Sequence, residues 1–281
     1  MHLASVVRPD GTPSFGLLEG PSLFDLGGGR WRDLAALLAD PAGLDAARAL
    51  RPTLAPTPLA TLTLLPPIPR PGKILCVGLN YLEHRNETGR APTEHPVIFV
   101  RFPDSLVAHG APLRHPGVSQ EYDYEGELAV VIGRAAHQVP EARALEHVAG
   151  YACFNDGSVR DWQRHTHQFT PGKNFLRSGA FGPALVTADE VGDPTTLTLT
   201  TRVSGEVLQQ ASTAELLFPI PRLIAYLSAF TRLEPGDVIA TGTPGGVGAK
   251  RVPPRFLAPG DVVEVEISRV GRLSNPVHAG A

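Results

Sequence analysis

The chain has 281 residues, of which 42% are hydrophobic and 19% charged, with a formal net charge of -3 and a pI of about 6.4. That length holds one or two domains with a sizeable core, and the charge balance lacks the basic excess that a nucleic-acid or membrane-surface binder needs. No apolar run approaches the roughly 18 residues of a membrane span, and MHLASVVRPD lacks the charged start and apolar stretch of a secretory leader.

Residues 1–66 read as a small α/β domain. LASVV and SFGLLEG flank Pro9-Asp10-Gly11-Thr12, a hairpin signal. WRDLAALLA and GLDAARAL read as short helices. Prolines from Pro52 to Pro71 make a stiff connector around one short strand, TLTLL. Residues 67–281 are dominated by strands: KILCVGL, PVIFVRF, ELAVVIG, GYACF, LTLTTRV, DVIATG and DVVEVEI. Helices are expected after Asn80, after Ser158 and within ELLFPIPRLIAYLSAF. Strands and helices do not alternate regularly, so a doubly wound sheet is not expected. The fold class expected is α+β and rich in β-structure. Cys76 and Cys153 sit in apolar runs and read as buried free thiols in a reducing cytoplasm.

Five segments carry candidate chemistry. In Glu121-Tyr-Asp123-Tyr-Glu125-Gly-Glu127, strand alternation turns four carboxylates to one face. Such a row either binds a hard cation or stands as a solvated acidic edge. Asp156 ends an apolar strand within Asn155-Asp156-Gly157, as a site residue or as a turn former. Ser158 and Asp161 fit a helix start, after which Arg160, Gln163 and His167 fall on one face, either suited to a carboxylate or simply a solvated polar face. Asn80 and Glu83 fit a capping box, which sets His84 and Glu87 three apart on one helix face. That pair can take a proton from water or form a surface ion pair. Lys173 follows a Pro-Gly turn and is one of only three lysines, with Lys73 and Lys250. Beside a metal it could stabilise an enolate oxygen. Ala240 to Gly248 form a glycine-rich loop that fits neither a P-loop nor a dinucleotide fingerprint. Its amides and Thr243 could hold a substrate carboxylate.

In this order, KILCVGLNYLEH, DYEGELAVVIG, ACFNDGSVRDWQ, TPGKNF, LEPGDVIATGTPGGVG and the closing LSNPV resemble the fumarylacetoacetate hydrolase family, from about Lys73 to Val277. The resemblance implies a mixed β-sandwich or rolled β-barrel core, a smaller N-terminal domain and a homodimer. It implies one Mg²⁺ or Mn²⁺ held by Glu125, Glu127 and Asp156. His84 and Glu87 would activate water, Lys173 would assist, and Arg160, Gln163 and Thr243 would meet the substrate. The implied reaction is C–C bond hydrolysis of a 2,4-dioxo acid to a pyruvate-type product and a carboxylic acid. Isomerisation or decarboxylation of an oxo-acid is the alternative on the same site. Three departures concern the far end of the substrate. Gly157 stands where a bulkier residue is common and would open room, Leu176, followed by Arg177, stands where an acidic residue is common and would make the pocket wall more basic, and Arg101 stands where a lysine is common.

Overall fold

In the computed structural model, which describes residues 1–280, the chain begins with an antiparallel pair, β1 (His2–Val7) and β2 (Pro13–Glu19), followed by β3 (Ser22–Asp25). Two short helices, α1 (Leu34–Ala39) and α2 (Gly43–Leu50), and two short strands, β4 (Pro56–Pro58) and β5 (Thr63–Leu64), complete this segment. The expected hairpin and both helices are present. Asp33 caps α1 by accepting from the Ala36 amide.

The remaining elements are β6 (Ile74–Gly78), α3 (Leu82–Thr88), β7 (Val97–Val100), β8 (Leu106–Val107), β9 (Leu113–His115), β10 (Tyr122–Asp123) and β11 (Gly126–Ile132). Then come β12 (Val148–Asn155), β13 (Ser158–Val159), α4 (Arg160–Gln163), α5 (Thr170–Lys173), β14 (Gly179–Thr187) and α6 (Ala188–Val191). The chain closes with β15 (Thr198–Val203), β16 (Glu206–Ser212), α7 (Ile220–Phe230), β17 (Val238–Ala240), β18 (Val262–Ile267) and β19 (Gly271–Ala279).

The largest sheet has the order β4-β3-β2-β1-β14-β12-β11-β17-β6-β7, with β5 on β1 and β8 on β14. A second sheet, β16-β15-β18-β19-β9, packs against it. The fold is therefore strand-rich α+β with a sandwich core. Among the described residues no sheet closes into a barrel.

β11 shows why the core has two layers. Leu128, Val130 and Ile132 face the second sheet and α7, while Ala129 and Val131 face the side of α1 and α2. Every residue of β11 is buried, as expected for a strand covered on both faces. Residues 1–66 extend the same large sheet, with Leu3 paired to Leu185. Leu3, Phe15 and Leu34 share one core with Ala129, Phe154 and Val238. Cys76 and Cys153 are both buried and unpaired, as expected.

Candidate active site and metal centre

The acidic stretch is not one continuous strand. β10 ends at Asp123, β11 begins at Gly126, and Tyr124 and Glu125 bridge the break. The four carboxylates consequently do not share one face, which corrects the simple alternation. Glu121 lies outside and pairs with Arg164. Asp123 is buried, accepts from Arg160 Nε at 2.8 Å and takes the amides of Gly248 and Ala249. Glu125 and Glu127 turn inward to meet Asp156. One oxygen from each of these three buried acids lies within 4.8 Å of the others. The Asp156 amide donates to the Glu125 carbonyl at 2.8 Å, so the ends of β11 and β12 bring the acids together.

The charge balance shows what the cluster can hold. Lys173 Nζ lies 2.6 Å from Glu125 Oε2 and 2.6 Å from Asp156 Oδ2. Burial would lower the Lys173 pKa, but Asp156 and Glu125 outweigh it and hold the ammonium above its usual range. Burial likewise pushes Glu125 up, yet Lys173 and Arg160 bring it well below the carboxylate range. Arg101, buried beneath them, reaches Asp156 Oδ1 at 2.5 Å. Glu127 differs. Among the described residues its carboxylate takes one hydrogen bond, from the Gly242 amide at 2.9 Å. Burial, Asp156 and Glu125 all push it well above the ordinary carboxylate value. A divalent cation among these oxygens would supply the positive charge that Glu127 lacks, and an all-oxygen donor set suits Mg²⁺ or Mn²⁺. The residues therefore fit the ion.

α3 carries the second group. His84 Nδ1 lies 2.7 Å from Glu87 Oε1, one helical step away, with His84 buried and Glu87 half-buried. A carboxylate accepts only, so Nδ1 bears the proton and Nε2 is the free nitrogen. The expected capping box is absent. Tyr81 occupies the cap position without a side-chain bond. The Asn80 amide instead donates to the carbonyls of Phe218 and Thr241 and accepts from the Phe218 amide.

The glycine-rich loop also differs from expectation. Its amides go to the protein's own acids: Gly242 to Glu127, Gly246 to Glu87, and Gly248 to Asp123. The Thr243 hydroxyl donates to the Gly126 carbonyl and accepts from Gln209 Nε2. The loop thus orients three carboxylates rather than offering these groups to a ligand.

A cavity of about 210 Å³ unites these parts. It is lined by His84, Glu125, Glu127, Arg160, Gln163, Lys173 and Thr243, with Phe99, Phe169 and Val247 as apolar wall. Arg160 Nη1 contacts Glu125 Oε1 at 2.6 Å and donates to Gln163 Oε1 at 3.0 Å. Its Nη2 is buried without a hydrogen-bond partner. The helix after Ser158 ends at Gln163, so His167 falls beyond it and is exposed. Ser158 does not cap that helix. Its hydroxyl donates to the Asp156 carbonyl, while Asp161 accepts from Ser119.

Two expectations about the substrate's far end are corrected. Gly157 opens no room, because a Cβ there would lie 1.8 Å from the Ser178 carbonyl oxygen. Leu176 and Arg177 are not among the residues lining the cavity. Sequence reasoning also missed the roles of Asp123, Arg101 and Gln209. Gln209 accepts from the Gly126 amide and donates to Thr243 and Pro244. Arg101 was signalled only as a departure and Asp123 only as a member of the acidic row, while nothing in the sequence signalled Gln209.

A family model described as fumarylacetoacetate (FAA) hydrolase C-terminal matches residues 73–278. Human mitochondrial oxaloacetate tautomerase FAHD2A is 44% identical over 234 residues, covering 83% of this chain and 74% of the relative. The solved 5-carboxymethyl-2-hydroxymuconate delta-isomerase of Mycobacterium smegmatis matches at a TM-score of 0.80 and 34% identity, over 100% of both chains. Maleylpyruvate hydrolase of Sphingobium sp. SYK-6, solved with manganese(II) and pyruvate, matches at 0.84 and 31%, also over 100% of both. These similarities span three reactions and one fold, and the chain belongs to the fumarylacetoacetate hydrolase family of enzymes.

Proposed function

We propose that this protein is a divalent-metal-dependent enzyme that moves a proton on the oxo–enol pair of a small 2-oxo acid, as a tautomerase or isomerase. The observation that carries this is one cavity lined by His84, which Glu87 holds from behind, and by Glu125 and Glu127, the two acids that meet Asp156. Glu125, Glu127 and Asp156 would hold Mg²⁺ or Mn²⁺, which supplies Lewis-acid polarisation of the carboxylate and 2-oxo oxygens. His84 Nε2 accepts the proton from the carbon beside the oxo group and returns it. Glu87 fixes the ring and balances the imidazolium. The Lys173 ammonium and the Arg160 guanidinium face the oxygen where negative charge grows. The oxaloacetate tautomerase relative supports this class of reaction.

The second reading is hydrolysis of the C–C bond of a 2,4-dioxo acid, with His84 taking its proton from a water. The maleylpyruvate hydrolase likeness favours it. Both use the same residues up to the enolate. We also infer a homodimer in a reducing cytoplasm, where Cys76 and Cys153 stay reduced.

Oxaloacetate and a panel of 2,4-dioxo acids, assayed for enol decay and for pyruvate, separate the two. Metal-dependent loss of the enol signal without pyruvate supports proton transfer. Pyruvate and a carboxylic acid in equal amounts from a 2,4-dioxo acid support hydrolysis. Neither change with Mg²⁺ or Mn²⁺ present overturns both.

A further inference from the structure

Asp123 is a fully buried carboxylate that the proposed reaction leaves unused. It sits on β10, where its pairing with Ser158 of β13 brings Arg160 alongside. The Arg160 amide donates to the Glu121 carbonyl at 2.9 Å, which fixes the start of α4 against the residue before β10. The nitrogens of the Arg160 side chain are then divided. Nε donates to Asp123 Oδ2 at 2.8 Å. Nη1 lies 2.6 Å from Glu125 Oε1 and donates to Gln163 Oε1 at 3.0 Å. Nη2 is buried and, among the described residues, has no hydrogen-bond partner. Leaving a buried N–H of a cation unpaired is costly, so it marks a place for a ligand oxygen. Arg160 lines the cavity.

Asp123 also holds another stretch of the wall. The Gly248 amide donates to its Oδ1 at 2.8 Å and the Ala249 amide to its Oδ2 at 3.0 Å. A Cβ on Gly248 would lie 2.6 Å from Asp123 Oδ1 and 2.0 Å from the Arg255 carbonyl oxygen, so glycine is what lets the loop come this close. Val247 and Ala249 of that loop line the cavity. As a loop anchor alone, Asp123 would act whatever residue stood at 160. As a support for Arg160, it would act only through the guanidinium.

We infer that Asp123 is a positioning residue for the reaction: it holds Arg160 by Nε so that Nη2 stays available to the substrate oxygen on which negative charge grows. The inference rests on the proposed seating of a 2-oxo acid in this cavity. The guanidinium is planar, so holding Nε and Nη1 sets the plane of the group and the direction of Nη2. A donor fixed in this way needs no reorientation as the charge develops. The bond from Nε to a carboxylate is charge-assisted, and a neutral amide at 123 would hold the group less firmly.

A double-mutant cycle between Asp123→Asn and Arg160→Met tests this, read by calorimetric titration of the Mn²⁺-loaded protein with oxalate, a planar dianion that resembles the enolate of a 2-oxo acid. Asp123→Asn is expected to weaken oxalate binding at least tenfold while Mn²⁺ affinity stays within threefold of the wild type. In the Arg160→Met background the same substitution is expected to change oxalate affinity less than twofold. Where urea unfolding shows that Arg160→Met does not fold, Arg160→Gln takes its place. An equal loss in both backgrounds assigns Asp123 to the loop and overturns the inference. Unaltered oxalate binding in Asp123→Asn, or a fall in Mn²⁺ affinity as large as that for oxalate, overturns it too. In each of these cases oxalate still binds the wild type, so the seating of the 2-oxo acid stands. No oxalate binding by the Mn²⁺-loaded wild type overturns both.

Discussion

The amide of Gly246 donates to Glu87 Oε2 at 2.9 Å, while the other oxygen of that carboxylate holds His84 Nδ1 at 2.7 Å. Glu87 is therefore fixed between the helix and the glycine-rich loop. The same loop holds Glu127 through Gly242. One backbone segment orients both the proposed base pair and a proposed metal ligand.

Alanine at these two glycines is expected to separate the functions. Gly246 has φ 97°, and a Cβ there would lie 2.2 Å from the Leu208 carbonyl oxygen. Gly242 has φ 108°, with a Cβ 2.7 Å from that of Asn80. Each substitution forces strain of about 1–3 kcal/mol. Gly246→Ala is expected to lower kcat while keeping Mn²⁺ affinity, and Gly242→Ala to lower Mn²⁺ affinity. Calorimetry and steady-state kinetics on both variants check this. Loss of metal affinity in Gly246→Ala alone would contradict it.

His84→Ala and Glu87→Gln test the proposed base. Removing a general base typically lowers the rate by about 10²–10⁴-fold. The expected result is a large fall in kcat for His84→Ala, a smaller one for Glu87→Gln, and Mn²⁺ binding preserved in both. Full activity in His84→Ala would remove the imidazole from the mechanism.

Arg101 is expected to matter for stability as much as for function. It is buried, and contacts Asp156, the Gly157 carbonyl and Ser178. Breaking one side of a buried ion pair costs about 3–5 kcal/mol. Urea unfolding of Arg101→Met in chelator should show a loss of that order. A loss under about 1 kcal/mol would show that Lys173 alone neutralises Asp156.

The fold's stability in acid has a readable contributor outside the site. Burial pushes Asp261 up, but Arg255, the Ala258 amide and Ser204 outweigh it and bring it below its ordinary 3.8. A depressed pKa adds stability above the unfolded value, and that gain disappears as pH falls through the folded value. Asp261→Asn is therefore expected to be less stable than the wild type at neutral pH. The gap should close as pH falls below about 4. Urea unfolding across that range checks the sign, and a gap that widens in acid would refute it.

The parts of the site set by local spacing were legible in the sequence. His84 and Glu87 lie three apart on a helix and do meet. Glu125 and Glu127 stood out only as members of an acidic row of four, and the family resemblance is what separated them from it. Asp123 was misread as part of their row, because the chain leaves the strand at Tyr124 and Glu125, which no propensity reveals. Gln209 lies 83 residues from Gly126, and Arg101 lies 55 from Asp156. Such contacts follow from sheet order and not from pattern. Gly157 misled for the same reason, since the backbone filling its space comes from Ser178.

The central claim is metal-dependent proton transfer at the carbon beside an oxo group. Proton NMR of 2-oxobutanoate and of 2-oxoglutarate in D₂O measures it directly, as enzyme-catalysed exchange at that carbon in either acid. The expected result is exchange that stops on chelation, returns with Mg²⁺ or Mn²⁺, and is lost in His84→Ala. Exchange no faster than in buffer, or exchange indifferent to chelation, would contradict it.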